Sequence, residues 1–97
     1  MKVNITSVKF KTDRKLEDFI NSKVEKLSSV YDGIIGSDVT LKLENGDAEN
    51  KVAEIRLQIR GNDLFARKQS ATFEEATDTA VDALRKQLDK HKDKFKK

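Results

Sequence analysis

The apolar residues of this chain change their spacing in a set order, and that order restricts its folds more than any single motif does. Val3 and Ile5 alternate with Lys2, Asn4 and Thr6, the two-residue period of a strand with one covered face. Leu16, Ile20, Val24, Leu27 and Tyr31 then form a stripe at helical spacing. It predicts a helix from about Asp13 to Val30, with Thr12 or Asp13 as its N-cap and Gly33 and Gly36 punctuating its end. Alternation returns at Val39, Leu41 and Leu43, and again at Ala53, Ile55, Leu57 and Ile59. A polar connection opened by Asn45-Gly46 lies between these two runs, so they are expected to pair antiparallel. Gly61-Asn62-Asp63 signals another turn, followed by a strand from Leu64 to about Ser70. Thr72-Phe73-Glu74-Glu75 has the form of a capping box. It precedes a long helix whose stripe is Phe73, Ala76, Thr77, Ala80, Leu84, Leu88, His91 and Phe95.

The predicted order β-α-β-β-β-α belongs to the α+β class, with a four-stranded sheet and two helices packed on one of its faces. A chain of 97 residues suffices for one core, and no repeat or linker divides it, so a single domain over residues 1–97 is expected. The absence of cysteine removes disulfides, thiolate metal sites and cysteine nucleophiles. No apolar run matches a signal peptide or a spanning helix of ~20 residues, and a cytoplasmic location is expected.

The formal charge of +3 is the remainder of 20 Lys and Arg against 17 Asp and Glu, so the distribution matters more than the sum. On the first helix Lys15 and Lys26 flank the apolar stripe and Lys23 lies close to the core edge, while Glu17, Asp18 and Glu25 occupy the other flank and the outer face. On the second helix Arg85, Lys92 and Lys96 form one stripe and Lys86, Lys90 and Lys97 another, with Glu75, Asp82, Asp89 and Asp93 between them. Cations on two neighbouring helices can line a groove suited to phosphate backbones. The competing reading is a solvated, lysine-rich surface.

The open sheet face is expected to carry Lys2, Thr6, Lys42, Glu44, Glu54, Arg56 and Arg60 and to lack aromatic rings. Recognition by shape and phosphate is therefore expected, rather than base stacking on the sheet. His91, the one histidine, sits in an apolar stripe and reads as a packing residue. With carboxylates dispersed over helix exteriors and turns, no catalytic or metal-binding constellation forms on paper, so no enzyme activity, metal or cofactor is expected. No glycine-rich nucleotide loop is present. The cationic second helix could suit a membrane surface, but its apolar stripe is needed to cover the sheet.

Lys23-Val24-Glu25-Lys26-Leu27 followed by Tyr31-Asp32-Gly33-Ile34, and Gln87-Leu88-Asp89-Lys90-His91-Lys92-Asp93-Lys94, resemble the short ribosome hibernation-promoting factors. The opening Lys2-Val3-Asn4-Ile5 and the spacing of Asp78 and Asp82 fit as well, so the resemblance runs the whole length. It implies a cytoplasmic stationary-phase or stress factor that inhibits translation by docking in the decoding region of the small ribosomal subunit, where it blocks messenger and transfer RNA. Family members hold 16S ribosomal RNA with basic residues on both helices, which map onto Lys23, Lys26, Lys86, Lys90, Lys92 and Lys94. The charge pattern adds Arg85. The partners so implied are the small subunit and whole or dimerised ribosomes, with no membrane and no small-molecule substrate.

No dimerisation domain like that of the long forms is expected after Lys97, so the resemblance is to the short form. Phe73-Glu74-Glu75 departs from the apolar and aromatic helix opening of relatives, and that end is expected to face away from phosphate. Lys86 stands where arginine is more usual, which keeps the charge but loses the two-pronged contact. A general structured-RNA-binding or RNA chaperone module is the alternative reading, and a module docking an acidic protein partner is a third.

Overall fold

Each change of apolar period becomes a change of secondary structure. The computed structural model describes residues 1–44 and 49–95, with side chains through His91. Its elements are β1 (Lys2–Ser7), α1 (Arg14–Glu25), β2 (Ile34–Leu43), β3 (Lys51–Ile59), β4 (Asn62–Ser70) and α2 (Phe73–Phe95). The order is the expected β-α-β-β-β-α.

Asp13 is the N-cap of α1, its Oδ1 accepting the Leu16 N–H at 2.8 Å. The helix is shorter than its apolar stripe. It tightens into a 3-10 turn over Lys26–Ser29, where the Ser28 hydroxyl donates to the Glu25 carbonyl and the Ser29 hydroxyl to the Lys26 carbonyl. Serines that bond nearby carbonyls compete with the regular helical ladder, and a helix end is where that competition is won. At the other helix, Thr72 Oγ1 accepts the Glu75 N–H at 3.1 Å, making one half of the expected capping box.

The strands form a four-stranded sheet in the order β1-β2-β3-β4. β1 runs parallel to β2, as a crossover through α1 permits, and the other pairs are antiparallel. Ile59 pairs with Asn62, so Arg60 and Gly61 alone make the β3–β4 turn. Gly61 has φ +80, a left-handed backbone that glycine adopts at no steric cost. β4 therefore begins at Asn62, inside the segment expected to be loop. The Asn45-Gly46 turn lies outside the described residues.

Both helices lie on one face. Ile20, Val24 and Leu27 meet Val39, Leu41, Ile55 and Leu57 of the central strands, and Ala80, Leu84 and Leu88 complete the same cluster. On α2 the small residues Ala76 and Ala80 precede Leu84 and Leu88, all four buried.

The opposite face is open and differs from expectation in one respect. Phe65 pairs with Arg56 across β4 and β3 and remains 49% exposed, so an aromatic ring does stand on this face. With Thr6, Asp38, Thr40, Glu54 and Arg56 it lines a shallow depression. The run Leu64-Phe65-Ala66 does not alternate in polarity, so only the register could decide that Leu64 turns inward and Phe65 outward. The ring is on an edge strand, and the charged groups near it bind one another: Lys42 and Arg67 both reach Glu54, and Arg67 also holds Glu44 at 2.7 Å.

Candidate nucleic-acid interface

Three contacts spaced along the helices show how they lie. Phe10, just before α1, stacks on Phe73 at the start of α2, with ring centroids 4.8 Å apart. Further along, Lys23 Nζ is 3.1 Å from Asp78 Oδ1. Beyond the 3-10 turn, Tyr31 meets His91 edge to face at 5.2 Å. Residues advance together on both segments, so the two helices run side by side in the same direction.

Between them is a groove of ≈ 390 Å³. α1 and its 3-10 extension bring Lys23, Lys26, Leu27, Ser29 and Val30 to it, and α2 brings Asp78, Val81, Asp82 and Arg85. Leu27, Val30 and Val81 supply its apolar lining, and both walls carry cations. Three cations against two carboxylates leave one formal positive charge on the lining. Lys26 and Arg85 are exposed and, among the described residues, form no ion pair. Lys23 is only 30% exposed; its ammonium is tied to Asp78 and sits 5.6 Å from the Phe19 ring centroid.

The structure thus brings together Lys23, Lys26 and Arg85 from the residues singled out in the sequence. Lys86 and Lys90 do not line the groove. They are exposed on the outward side of α2, and Lys86 pairs with Asp82 one turn earlier at 3.4 Å. The side chains of Lys92 and Lys94 lie outside the described residues. An exposed pair such as Lys86–Asp82 contributes at most about 1 kcal/mol and leaves the lysine available to another anion.

Two residues of the C-terminal sequence pattern have structural work instead. Gln87 Nε2 donates to the Phe65 carbonyl at 2.9 Å, which closes part of the outer edge of β4. His91 Nε2 is 3.3 Å from the Tyr31 hydroxyl, consistent with a packing role for this histidine. Among the described residues no cluster of three or more His, Cys, Asp or Glu could hold a metal ion. No described helix is long and apolar enough to cross a membrane.

A sheet with two parallel helices on one face and a groove between them lined by cations and carboxylates defines a small α+β protein. The chain belongs to the Sigma 54 modulation protein / S30EA ribosomal protein family, whose model matches residues 3–96. It is 31% identical over 96 residues to the ribosome hibernation promoting factor of Klebsiella oxytoca, covering 99% of this chain and 98% of that one. It is 33% identical over 94 residues to the ribosome hibernation promoting factor of Pseudomonas putida, covering 97% and 89%. Among solved structures, the Thermus thermophilus Protein Y N-terminal domain superposes with a TM-score of 0.81 at 23% identity over 94% of this chain and 99% of that chain. A ribosomal subunit interface protein from Coxiella burnetii gives 0.84 at 17% identity over 95% and 98%. These two share its fold.

Proposed function

We propose that this chain is a ribosome-associated translation inhibitor that holds 16S ribosomal RNA with its helical face. It occupies the decoding region of the small subunit and so blocks messenger and transfer RNA during stationary phase or stress. The observation that supports this reading best is the meeting of Lys26 and Arg85 across the groove, both exposed and without an ion pair among the described residues, in a chain whose relatives are hibernation promoting factors. Long cations on two rigid walls suit a phosphate backbone, and each phosphate they neutralise releases counterions. The charge-assisted contacts position the protein; shape and groove width select the site.

Sedimentation with small subunits and with whole ribosomes, at low and then physiological salt and beside a translation assay, tests the proposal. The wild type is expected to co-sediment stoichiometrically and to stop translation. Lys26→Gln with Arg85→Gln should weaken binding and flatten the dependence of log K on log salt by roughly 1.4 to 1.8, two contacts at 0.7 to 0.9 each. Lys86→Gln with Lys90→Gln probes the outer face in the same assay. Unchanged binding by both double variants, with the fold intact, would exclude this surface. The reading of a general structured-RNA binder predicts instead that an arbitrary RNA duplex competes as well as small subunits do.

A further inference from the structure

The groove contains an ion pair that a simple phosphate clamp would lack. Lys23 and Asp78 bridge the helices at 3.1 Å, and both line the groove. Asp82, one turn on, lines it too and reaches Lys86 on the outer face. The helices do not need this bridge to stay together: Ile20, Val24, Ala80 and Leu84 are fully buried in a shared core cluster. Two carboxylates in the groove also work against any approaching polyanion, since like charges at contact distance repel. Such local conflicts are expected where function, rather than stability, has chosen the residue.

We propose that Asp78 is a selectivity gate for RNA. It holds Lys23 in the unbound groove and gives it up only to a phosphate delivered between the two helices. This inference rests on the reading of the groove as the RNA-binding surface. Lys26 and Arg85 are open to any polyanion that comes near. Lys23 is less open: its ammonium lies 5.6 Å from the Phe19 ring centroid and 3.1 Å from Asp78, so a phosphate that takes it must enter the groove and compete with the carboxylate. An RNA whose shape places a phosphate there exchanges one partner of Lys23 for another. An RNA that lies across the helix crests gains no contact with Lys23 and still meets the charge of Asp78. An ion pair this exposed shifts an equilibrium by up to about fivefold, which sets the scale of the discrimination.

The test measures dissociation constants at physiological salt for two probes, intact small subunits and a short RNA duplex of arbitrary sequence. The proteins are the full chain as wild type, Asp78→Asn, Lys23→Met, and the two combined. Asp89→Asn serves as the control for a general change in charge, because Asp89 is an exposed acid of α2 that does not line the groove. Asp78→Asn is expected to tighten duplex binding about three- to fivefold beyond the effect of Asp89→Asn, and to tighten small-subunit binding less. The ratio between the probes then narrows; an extra gain that disappears in the Lys23→Met background comes from the release of Lys23, as the gate requires, whereas a gain that persists there comes from the charge of Asp78 alone and would overturn it. Equal effects of Asp78→Asn and Asp89→Asn on both probes, or looser duplex binding by Asp78→Asn at an unchanged melting temperature, would overturn the gate. If the wild type bound no small subunits, the ribosomal reading would fail, while the duplex measurements would still decide whether Asp78 restrains Lys23.

Discussion

Replacing Gly33 with alanine should loosen the end of α2 from a distance, through a single ring. A Cβ at Gly33 would fall 2.6 Å from Tyr31 Cε2 and 2.8 Å from both Cζ and the hydroxyl oxygen, against the 3.4 Å or more of an ordinary contact. The ring must shift by about 0.8 Å, and it has a partner in His91. Its hydroxyl is 3.3 Å from His91 Nε2 and its edge contact with the imidazole spans 5.2 Å, so the same shift strains both. An aromatic pair contributes ~0.5–1.5 kcal/mol and a net hydrogen bond a similar amount. With partial relaxation the expected cost is about 1–2 kcal/mol, or roughly 4–16 °C of melting temperature for a domain this size.

Thermal unfolding gives the total, and amide exchange at Leu88 to His91 should show local protection lost first in the last described turns of α2. A double-mutant cycle with Tyr31→Leu isolates the cause, because Gly33→Ala should cost little once the ring is gone. The same cost in both backgrounds would refute the reasoning. Gly61 supplies the contrast. It has open space around it but a φ of +80, so Gly61→Ala should cost ~1 kcal/mol from backbone strain alone, whatever stands at position 31.

Substitutions at two further positions test the frame that carries the groove. The Thr77 hydroxyl is fully buried on α2 with no hydrogen-bond partner among the described residues. Thr77→Val keeps the shape and removes the desolvation cost, and should raise stability by ~1 kcal/mol in a denaturant titration with unchanged slope; a loss of stability would mean that the hydroxyl is satisfied. Asp13→Ala removes the side-chain cap of α1 and should cost ~1 kcal/mol, while Asp13→Asn should retain most of it, as a melting comparison would show.

What was legible in the sequence was whatever depends on neighbours along the chain. The alternation through Ala53, Ile55, Leu57 and Ile59 and the helical stripe from Leu16 to Val24 set element types and order, because backbone period and burial reinforce each other over a few residues. Thr12 or Asp13, and Thr72, marked the starts of helices through bonds that span three residues, and the structure takes Asp13 as the cap of α1. The family, too, could be read from short patterns around Lys23, Tyr31 and Gln87, and its model covers almost the whole chain.

The register and the pairing of faces were decided elsewhere. Phe65 turned outward because β4 pairs Leu64 with Leu57 and Phe65 with Arg56, a choice its own polarity pattern left open. A helical wheel places Arg85 and Lys86 100° apart, yet it cannot say which of them faces the other helix. That required the sheet to set α1 and α2 side by side and in the same direction. Only then did Arg85 join Lys26 while Lys86 stayed outside, and only then did Asp78 come within 3.1 Å of a lysine far away in the chain. Local periodicity fixes each side chain's angle about its own helix, but a groove is a relation between two helices, and that relation is set by the core they share.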